Sequence, residues 1–476
     1  MIDQLDLQDF YGQRAEMIAW NDGHVARTFE TLFADVSALG QRWREAGVPR
    51  GARLIVHGLN AYETWLCALA AYEEGCSLAL LPSRLRVDQL DAYCGALSFD
   101  FQISPSVLRG TDAAVLTRPH RVARDTALPE RSSRLRPEEP WIYIFTSGSS
   151  GDPKAVQHSA RSLMCSARAS LQFYEAQAGD SWLLSLDLAH IGGFQIALRC
   201  LLGGLVCLSG FEPTAVDAAL RHQRISFLSL VPTQLHRLLE DPLSIDRLRS
   251  CRAILLGGAA CPPALLDRLR TLDLPVSITY GSSETASQVA AWRPGYYPAA
   301  GEDEDVGTLL PIWEAAIEEG CLTLRGEALC QGWWQTQIFS SARSELGRYR
   351  STDRAVLKGS HLCVLGRDDQ VFQVGGENLA PAEIAAALGR LPVPGDWLVL
   401  PFDDEIYGQV PVLVYRGKDP PPSRAAVYAM LGSLPRIKWP RRCYWHQSAD
   451  VHKPSRADYA RRLATAAELE LVWTQI

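Results

Sequence analysis

Short apolar runs alternate with amphipathic stretches along the chain, and this alternation constrains the fold more than any other feature of the sequence. Residues 53–57, 182–186, 227–230 and 253–256 are such runs, each bounded by turn-forming residues. Runs of this length predict strands that are buried on both faces, as in parallel sheets. Residues 61–73 predict a helix, and amphipathic stretches between the runs, such as residues 263–270, predict further helices. The sequence therefore predicts an α/β fold.

The pattern changes near Gly366, which marks a predicted domain boundary. Before it lie short strands rich in Gly and Trp, and after it a compact tail with a helix at residues 380–388 and strands at 396–400 and 410–415. We expect a large N-terminal domain of layered α/β subdomains, residues 1–366. A small mobile α+β C-terminal domain, residues 367–476, would follow it.

Composition excludes several classes of protein. Of the 476 residues, 47% are hydrophobic and 21% are charged, which is typical of a soluble globular protein. The net charge is −7 and the basic residues are scattered, so nucleic acid is not an expected partner. No apolar run is long enough to span a membrane, and the N-terminus lacks the apolar core of a signal peptide. Twelve cysteines without a CxxC pair predict reduced thiols and a cytoplasmic location.

A loop rich in Thr, Ser and Gly follows a predicted strand at residues 141–145 and precedes a helix expected to begin near His158. Backbone N–H groups and hydroxyls in such a loop can bind phosphate, and Lys154 adds a compact positive charge. The spacing is not that of a Walker loop. On these residues alone, a flexible Ser/Gly turn is an equally good interpretation. The candidate phosphate-binding residues are Thr146, Ser147, Gly148, Ser149, Ser150 and Gly151.

The segment YIFTSGSSGDPKAV resembles the phosphate loop of the acyl-adenylate-forming superfamily, in its acyl-CoA synthetase branch. Four further segments resemble motifs of that superfamily and occur in the same order: YGSSET, STDR, GRDDQVFQVGGENLAP and VHKPSR. The resemblance implies an acid–thiol ligase that uses ATP and Mg²⁺ to form an acyl-adenylate. The enzyme would then transfer the acyl group to coenzyme A.

Roles for the YGSSET motif follow from the same resemblance. Tyr280 would lie against the adenine, with Gly281 beside it in the nucleotide site. Ser283 would hydrogen-bond the AMP phosphate, and Glu284 would help to hold Mg²⁺. Oxygen ligands suit this hard cation. The family usually has Thr at position 283, and Ser retains the hydroxyl.

The later motifs imply roles in both half-reactions. Asp353 would accept hydrogen bonds from the ribose hydroxyls, and Arg367 would contact the ribose or the phosphate. Asp369 would be the hinge about which the C-terminal domain swivels. Lys453 would bridge the substrate carboxylate and the α-phosphate, although His452 stands where the family commonly has Gly.

Residues 182–199, 228–239 and 253–262 resemble the o-succinylbenzoate–CoA ligases of menaquinone biosynthesis. By that resemblance, His190 would sit at the mouth of the acyl pocket and gate entry. Arg199 would bind the second carboxylate of the acid; a solvated helix arginine is an equally good interpretation. The residues expected to line the pocket are Gly192, Gly193, Thr233, Gly257, Gly258 and Ser282.

Several alternatives stay open at this point. The chain could be another aryl- or acyl-CoA ligase, or a stand-alone adenylation enzyme that loads a carrier protein. A non-catalytic nucleotide-binding protein is a third alternative. The acid itself and the oligomeric state, including a homodimer, are not determined by these motifs.

Overall fold

The computed structural model describes residues 14–82, 85, 90–105, 134–147, 153–210, 216–298, 304–370, 372–374, 377–391, 393, 395–404, 408–432, 434, 436–447, 456–465 and 469–474. Within these ranges the helices are α1 (Phe29–Glu45), α2 (Ala61–Glu73), α3 (Leu90–Ala96), α4 (Ala160–Phe173), α5 (Ile191–Gly203), α6 (Val216–His222), α7 (Pro232–Leu238), α8 (Pro242–Arg249), α9 (Pro263–Leu272), α10 (Pro381–Leu388), α11 (Arg424–Met430) and α12 (Arg456–Thr465). Short 3₁₀ turns are formed by Asp368–Gln370 and Arg436–Lys438.

The strands of the first half of the chain are β1 (Ile18–Asn21), β2 (Ala26–Thr28), β3 (Arg53–Val56), β4 (Ser77–Leu80), β5 (Phe101–Ile103), β6 (Pro140–Ser147), β7 (Pro153–Ser159), β8 (Ser181–Leu183), β9 (Val206–Leu208), β10 (Phe227–Leu230), β11 (Ala253–Leu256) and β12 (Val276–Tyr280). Those that follow are β13 (Ala290–Ala291), β14 (Asp305–Leu309), β15 (Trp313–Glu318), β16 (Cys321–Gly326), β17 (Gly332–Gln335), β18 (Ile338–Ser341), β19 (Tyr349–Lys358), β20 (His361–Arg367), β21 (Phe372–Val374), β22 (Glu377–Leu379), β23 (Asp396–Asp404), β24 (Gly408–Gly417), β25 (Arg442–Gln447) and β26 (Glu470–Thr474).

The larger of the two main sheets has the order β15-β16-β19-β20-β14-β13-β12-β11-β10-β8-β9-β1-β2. Its centre, from β12 to β9, is parallel. All four side chains of β10 and of β11 are buried, which explains why every residue in the two strands except Ser229 is apolar. Helices connect these strands, so the predicted α/β fold is confirmed for this part of the chain.

The second main sheet has the order β18-β17-β7-β6-β4-β3-β5. In it β6 and β7 form an antiparallel hairpin, and β7 pairs with β17 on its other side. The helix expected near His158 begins instead at Ala160, because residues 153–159 are held in these two ladders. Ser159 then caps α4 by accepting a hydrogen bond from the backbone N–H of Ser162.

The chain after Gly366 forms β21–β22 and a four-stranded sheet, β23-β24-β25-β26. Its apolar side chains pack in clusters that contain only residues from Phe372 onward. The domain boundary at residues 366/367 stays a prediction.

No disulfide links any of the twelve cysteines, all of which lie in described ranges, and nine of them are buried. Among the described helices, none combines the length and the apolar character needed to cross a bilayer.

Candidate active site

The carboxyl ends of four parallel strands lie side by side along one edge of the larger sheet. Strands β12, β11, β10 and β8 are neighbours, and the chain order reverses between β10 and β8. Ligands of open α/β sheets bind at such switch points. Thr233 follows β10, Gly257 and Gly258 follow β11, and residues 281–284 follow β12. The topology therefore brings several predicted site residues to one edge.

The β6–β7 hairpin carries the predicted phosphate loop. Thr146 and Lys154 face each other across the hairpin, and Ser147 is the last residue of β6. Residues 148–152 lie outside the described ranges, as does Lys453. Their predicted roles stay predictions.

A salt bridge links β7 of the second sheet to the loop after β12 of the larger sheet. Lys154 Nζ lies 2.6 Å from Glu284 Oε1, and both side chains are largely buried. Lys154 Nζ also lies 4.0 Å from the centre of the Trp333 ring. Burial would raise the pKa of Glu284, but the charge and hydrogen bond of Lys154 outweigh it, so that the pKa lies below its usual value. Glu284 is therefore an anion beside a fixed cation.

The residues around Glu284 fit Mg²⁺ bound together with a nucleotide. Among the described residues, no group of three or more His, Cys, Asp and Glu side chains could hold a metal by itself. Mg²⁺ commonly uses one or two carboxylates together with substrate phosphates. A single ionised carboxylate beside a phosphate loop matches that pattern.

Two residues predicted to bind the nucleoside are in contact with each other. The hydroxyl of Tyr280 donates a hydrogen bond to Asp353 Oδ2. Burial, and then the charge of Asp353, raise the pKa of the Tyr280 hydroxyl, so it stays protonated and serves as the donor. Asp353 on β19 stands directly opposite Arg367 on β20. Asp369 lies in the 3₁₀ turn after β20.

The start of α5 contains the residues predicted at the mouth of the acyl pocket. His190 is the N-cap residue, its side chain is exposed, and it makes no capping hydrogen bond. A Cβ on Gly193 would lie 2.1 Å from the carbonyl oxygen of Asp187, so only glycine fits there. This close approach explains Gly193 without reference to a ligand. Its predicted role in lining the pocket, like that of Gly192, stays a prediction.

The loop after β12 requires glycine for a similar reason. A Cβ on Gly281 would lie 1.4 Å from the carbonyl oxygen of Ser287. Ser282 follows, and its backbone N–H donates to the hydroxyl of Thr285 at 2.9 Å. The loop is therefore folded tightly back on itself, which constrains Ser283 and Glu284 between these contacts.

Arg199 is buried, with 2% of its surface exposed. Its guanidinium lies 5.2 Å from the centre of the Trp182 ring, and Nη2 donates to Gln288 Oε1 at 3.3 Å. Among the described Asp and Glu side chains, none forms an ion pair with it, and its buried Nε has no hydrogen-bond partner there. Desolvation lowers the pKa of Arg199 to about 10. The solvated helix arginine considered above is therefore wrong.

His158 belongs to the site and was missed from the sequence. Its ring is fully buried, and Nε2 lies 2.8 Å from the carbonyl oxygen of Ser283. Because a carbonyl only accepts, Nε2 carries the proton. Nδ1 lies 3.3 Å from the hydroxyl of Ser162. Desolvation lowers the pKa of His158 to about 4. The two partners are 125 residues apart along the chain, so no local pattern could reveal the contact.

The buried neutral ring of His158 predicts sensitivity to acid. The unfolded state takes up the proton near pH 6.5, while the folded state resists it until about pH 4, so stability falls as the pH falls between these values. From pH 7 to pH 5, we expect this histidine to remove about 2 kcal/mol from the free energy of unfolding. Urea unfolding of the wild type and His158→Gln at both pH values measures the difference. A pH dependence that is equal in the two proteins would contradict the prediction.

The protein belongs to a class defined by its nucleotide-binding site. The site combines the carboxyl ends of the parallel strands, the β6–β7 hairpin with its predicted phosphate loop, and an ionised carboxylate beside a lysine. The chain belongs to the AMP-binding enzyme family, whose model matches residues 7–334. The resemblance drawn from the motifs is therefore confirmed.

Individual relatives and solved structures are similar to this chain over most of its length. The chain is 30% identical to the 2-succinylbenzoate–CoA ligase of Escherichia coli K12 over 406 residues, which are 84% of this chain and 85% of that protein. A solved structure of an Escherichia coli MenE variant with bound OSB-AMS has a TM-score of 0.78 at 26% identity, covering 97% of this chain and 99% of that one. Bacillus subtilis MenE in complex with ATP and magnesium ion has a TM-score of 0.79 and covers 93% and 96% of the two chains. At 22% identity, that likeness shows the fold alone.

Proposed function

We propose that this chain is an o-succinylbenzoate–CoA ligase, an AMP-forming acid–thiol ligase of menaquinone biosynthesis that uses ATP, Mg²⁺ and coenzyme A. The observation that carries the proposal is the Lys154–Glu284 pair, because a largely buried cation and carboxylate in contact suit the binding of phosphates together with Mg²⁺. The names of the relatives support the choice of acid.

In the first half-reaction, the substrate carboxylate attacks the α-phosphate of ATP, forming acyl-AMP and releasing pyrophosphate. Lys154 and the phosphate loop neutralise charge on the phosphates, and Glu284 would hold Mg²⁺, which screens the leaving pyrophosphate. Tyr280 and Asp353 position the nucleoside, with Tyr280 orienting the Asp353 carboxylate. Lys453 would stabilise the transition state between carboxylate and phosphate.

In the second half-reaction, the thiolate of coenzyme A attacks the acyl carbonyl and AMP leaves. We propose that the small C-terminal domain, residues 367–476, turns about Asp369 between the two steps and withdraws Lys453. The position of Asp369 in a short turn between β20 and β21 supports this role.

Arg199 supports a substrate with two carboxylates. A buried guanidinium without an anionic partner among the described residues is costly, and a substrate carboxylate would offset that cost. The proposal therefore assigns the second carboxylate of o-succinylbenzoate to Arg199. It places His190 at the mouth of the acyl pocket and assigns the lining of the pocket to Gly192, Gly193, Thr233, Gly257, Gly258 and Ser282.

A panel of acids in the ATP–pyrophosphate exchange assay tests the proposed function. We expect o-succinylbenzoate to support the fastest exchange and, in a second assay, coenzyme A to accept the acyl group. Exchange with another acid only, or transfer to a carrier protein but not to coenzyme A, would replace this function by one of the alternatives. ATP binding without exchange for any acid would favour a non-catalytic protein.

The proposal includes a cytoplasmic location, which the absence of disulfides among the twelve cysteines supports. A homodimer stays a prediction.

A further inference from the structure

The backbone around Glu284 is held from the protein interior on both sides. The carbonyl oxygen of Ser283 accepts a hydrogen bond from His158 Nε2 at 2.8 Å. The carbonyl oxygen of Glu284 accepts one from the backbone N–H of Cys330 at 2.8 Å. Two residues further on, the hydroxyl of Ser166 donates to the carbonyl oxygen of Ala286 at 2.6 Å. These contacts link the loop after β12 to β7, α4 and the segment before β17.

The two bonds nearest Glu284 have a specific geometric effect. A peptide unit is planar, so a hydrogen bond to the oxygen of Ser283 also orients the amide that enters Glu284. The bond from Cys330 orients the peptide unit that leaves Glu284 in the same way. With both flanking units held, the direction of the Cα–Cβ bond of Glu284 is determined. One of these two donors is a backbone group, and the other is the side chain of His158.

His158 is an unexpected residue for its surroundings. It lies within β7, where Val156 and the other neighbouring side chains are buried. An apolar residue would fill this volume without the cost of burying an imidazole. One hydrogen bond of the ring goes to the hydroxyl of Ser162, and the other goes to the backbone carbonyl next to Glu284.

We propose that His158 is a positioning residue for adenylate formation: its hydrogen bond to the Ser283 carbonyl aims the Glu284 carboxylate at the metal and the phosphates. The inference rests on the proposed function, because it takes Glu284 as the residue that holds Mg²⁺. In this role, the side chain of His158 acts on Glu284 only through the backbone of Ser283.

The test compares two amide variants of the full-length protein. The side-chain nitrogen of glutamine reaches the position of Nε2, whereas that of asparagine reaches only that of Nδ1, so His158→Gln keeps the bond to Ser283 and His158→Asn loses it. We expect His158→Asn to lower kcat for ATP–pyrophosphate exchange by about 10²-fold, the cost of misplacing a catalytic group. The Mg²⁺ concentration for half-maximal rate should rise, and KM for the acid should not change. His158→Gln should stay within about threefold of the wild type.

Ser166→Ala is the matched control, because it removes a buried hydrogen bond to the same loop at Ala286 and leaves Ser283 untouched. It should lower the melting temperature but keep kcat within about twofold of the wild type. His158→Met, which fills the volume without a donor, is a second variant lacking the bond in case His158→Asn does not fold.

Equal kcat values for the glutamine variant and a folded variant lacking the bond would overturn the inference. So would a loss of kcat in Ser166→Ala as large as that in His158→Asn, since the effect would then be one of general stability. If none of the acids supported pyrophosphate exchange by the wild type, the proposed function itself would be overturned. The two failures are therefore distinguishable.

Discussion

Replacing Glu284 by glutamine should lower the rate of ATP–pyrophosphate exchange by about 10³-fold. The substitution keeps the shape of the side chain and removes the charge that faces both Lys154, at 2.6 Å, and the proposed metal. A neutral amide is a poor ligand for Mg²⁺, and the Lys154 ammonium would lose its anionic partner in a largely buried position. Initial rates over a range of Mg²⁺ concentrations measure the effect, and half-saturation should move to higher Mg²⁺.

Glu318→Gln is the matched control for this charge change. Glu318 lies at the end of β15, the outermost strand of the larger sheet on that side, and forms an exposed ion pair with Arg348 at 2.8 Å. Exposed pairs contribute little to stability. The control variant should keep the wild-type exchange rate within about twofold. If Glu284→Gln retained more than about a tenth of the wild-type rate, Glu284 would not be the residue that holds the metal.

Local patterns predicted the central α/β layer well. The helix Ala61–Glu73 and the strands Phe227–Leu230 and Ala253–Leu256 have the predicted bounds. These two strands were predicted correctly because both of their faces are covered, so all their side chains except Ser229 are apolar and each run has clear ends. The helix succeeds because Asn60 and Glu63 form a capping box at its start.

The hairpin of β6 and β7 could not be predicted in the same way. The sequence pattern around His158 is compatible with the start of a helix. Pairing of β7 with β6 on one side, and with β17 more than a hundred residues later on the other, keeps this segment in a strand. The strand predicted at residues 182–186 ends at Leu183 for a related reason: Ser185 turns away and donates its hydroxyl to the carbonyl oxygen of Ser229. Pairing partners distant in sequence decide such boundaries.

The candidate site also has features that the sequence predicted and features that it could not predict. Motif order along the chain placed Lys154, Glu284, Tyr280 and Asp353 in one site, and the structure brings these four into two contacting pairs. The burial of Arg199 could not be read from its helix, because the covering groups come from β8 and from the loop after β12.

Arg199→Met should lower kcat/KM for o-succinylbenzoate by about 10²-fold, which is the loss expected for one charge-assisted contact with a carboxylate. Methionine fills much of the volume over the Trp182 ring without the charge. Benzoate and 3-benzoylpropionate each carry one carboxylate, so exchange supported by either should change little. The measurement is the rate of pyrophosphate exchange with each of the three acids, compared between the wild type and the variant. Equal losses for the diacid and the monoacids would contradict the assignment.

The thermal stability of Arg199→Met is an independent test of the role assigned to Arg199. The Arg199 guanidinium is buried, and burial lowers its pKa to about 10, so the folded protein bears the cost of desolvating a cation. Replacing a buried charge by an apolar side chain is often stabilising, by about 1 kcal/mol or more. We therefore expect Arg199→Met to melt at a higher temperature than the wild type while it loses activity on the diacid. If Arg199 served only packing, its replacement would lower both the stability and the activity of the protein. A rise in stability together with a loss of activity would therefore identify a side chain whose role is to bind the ligand.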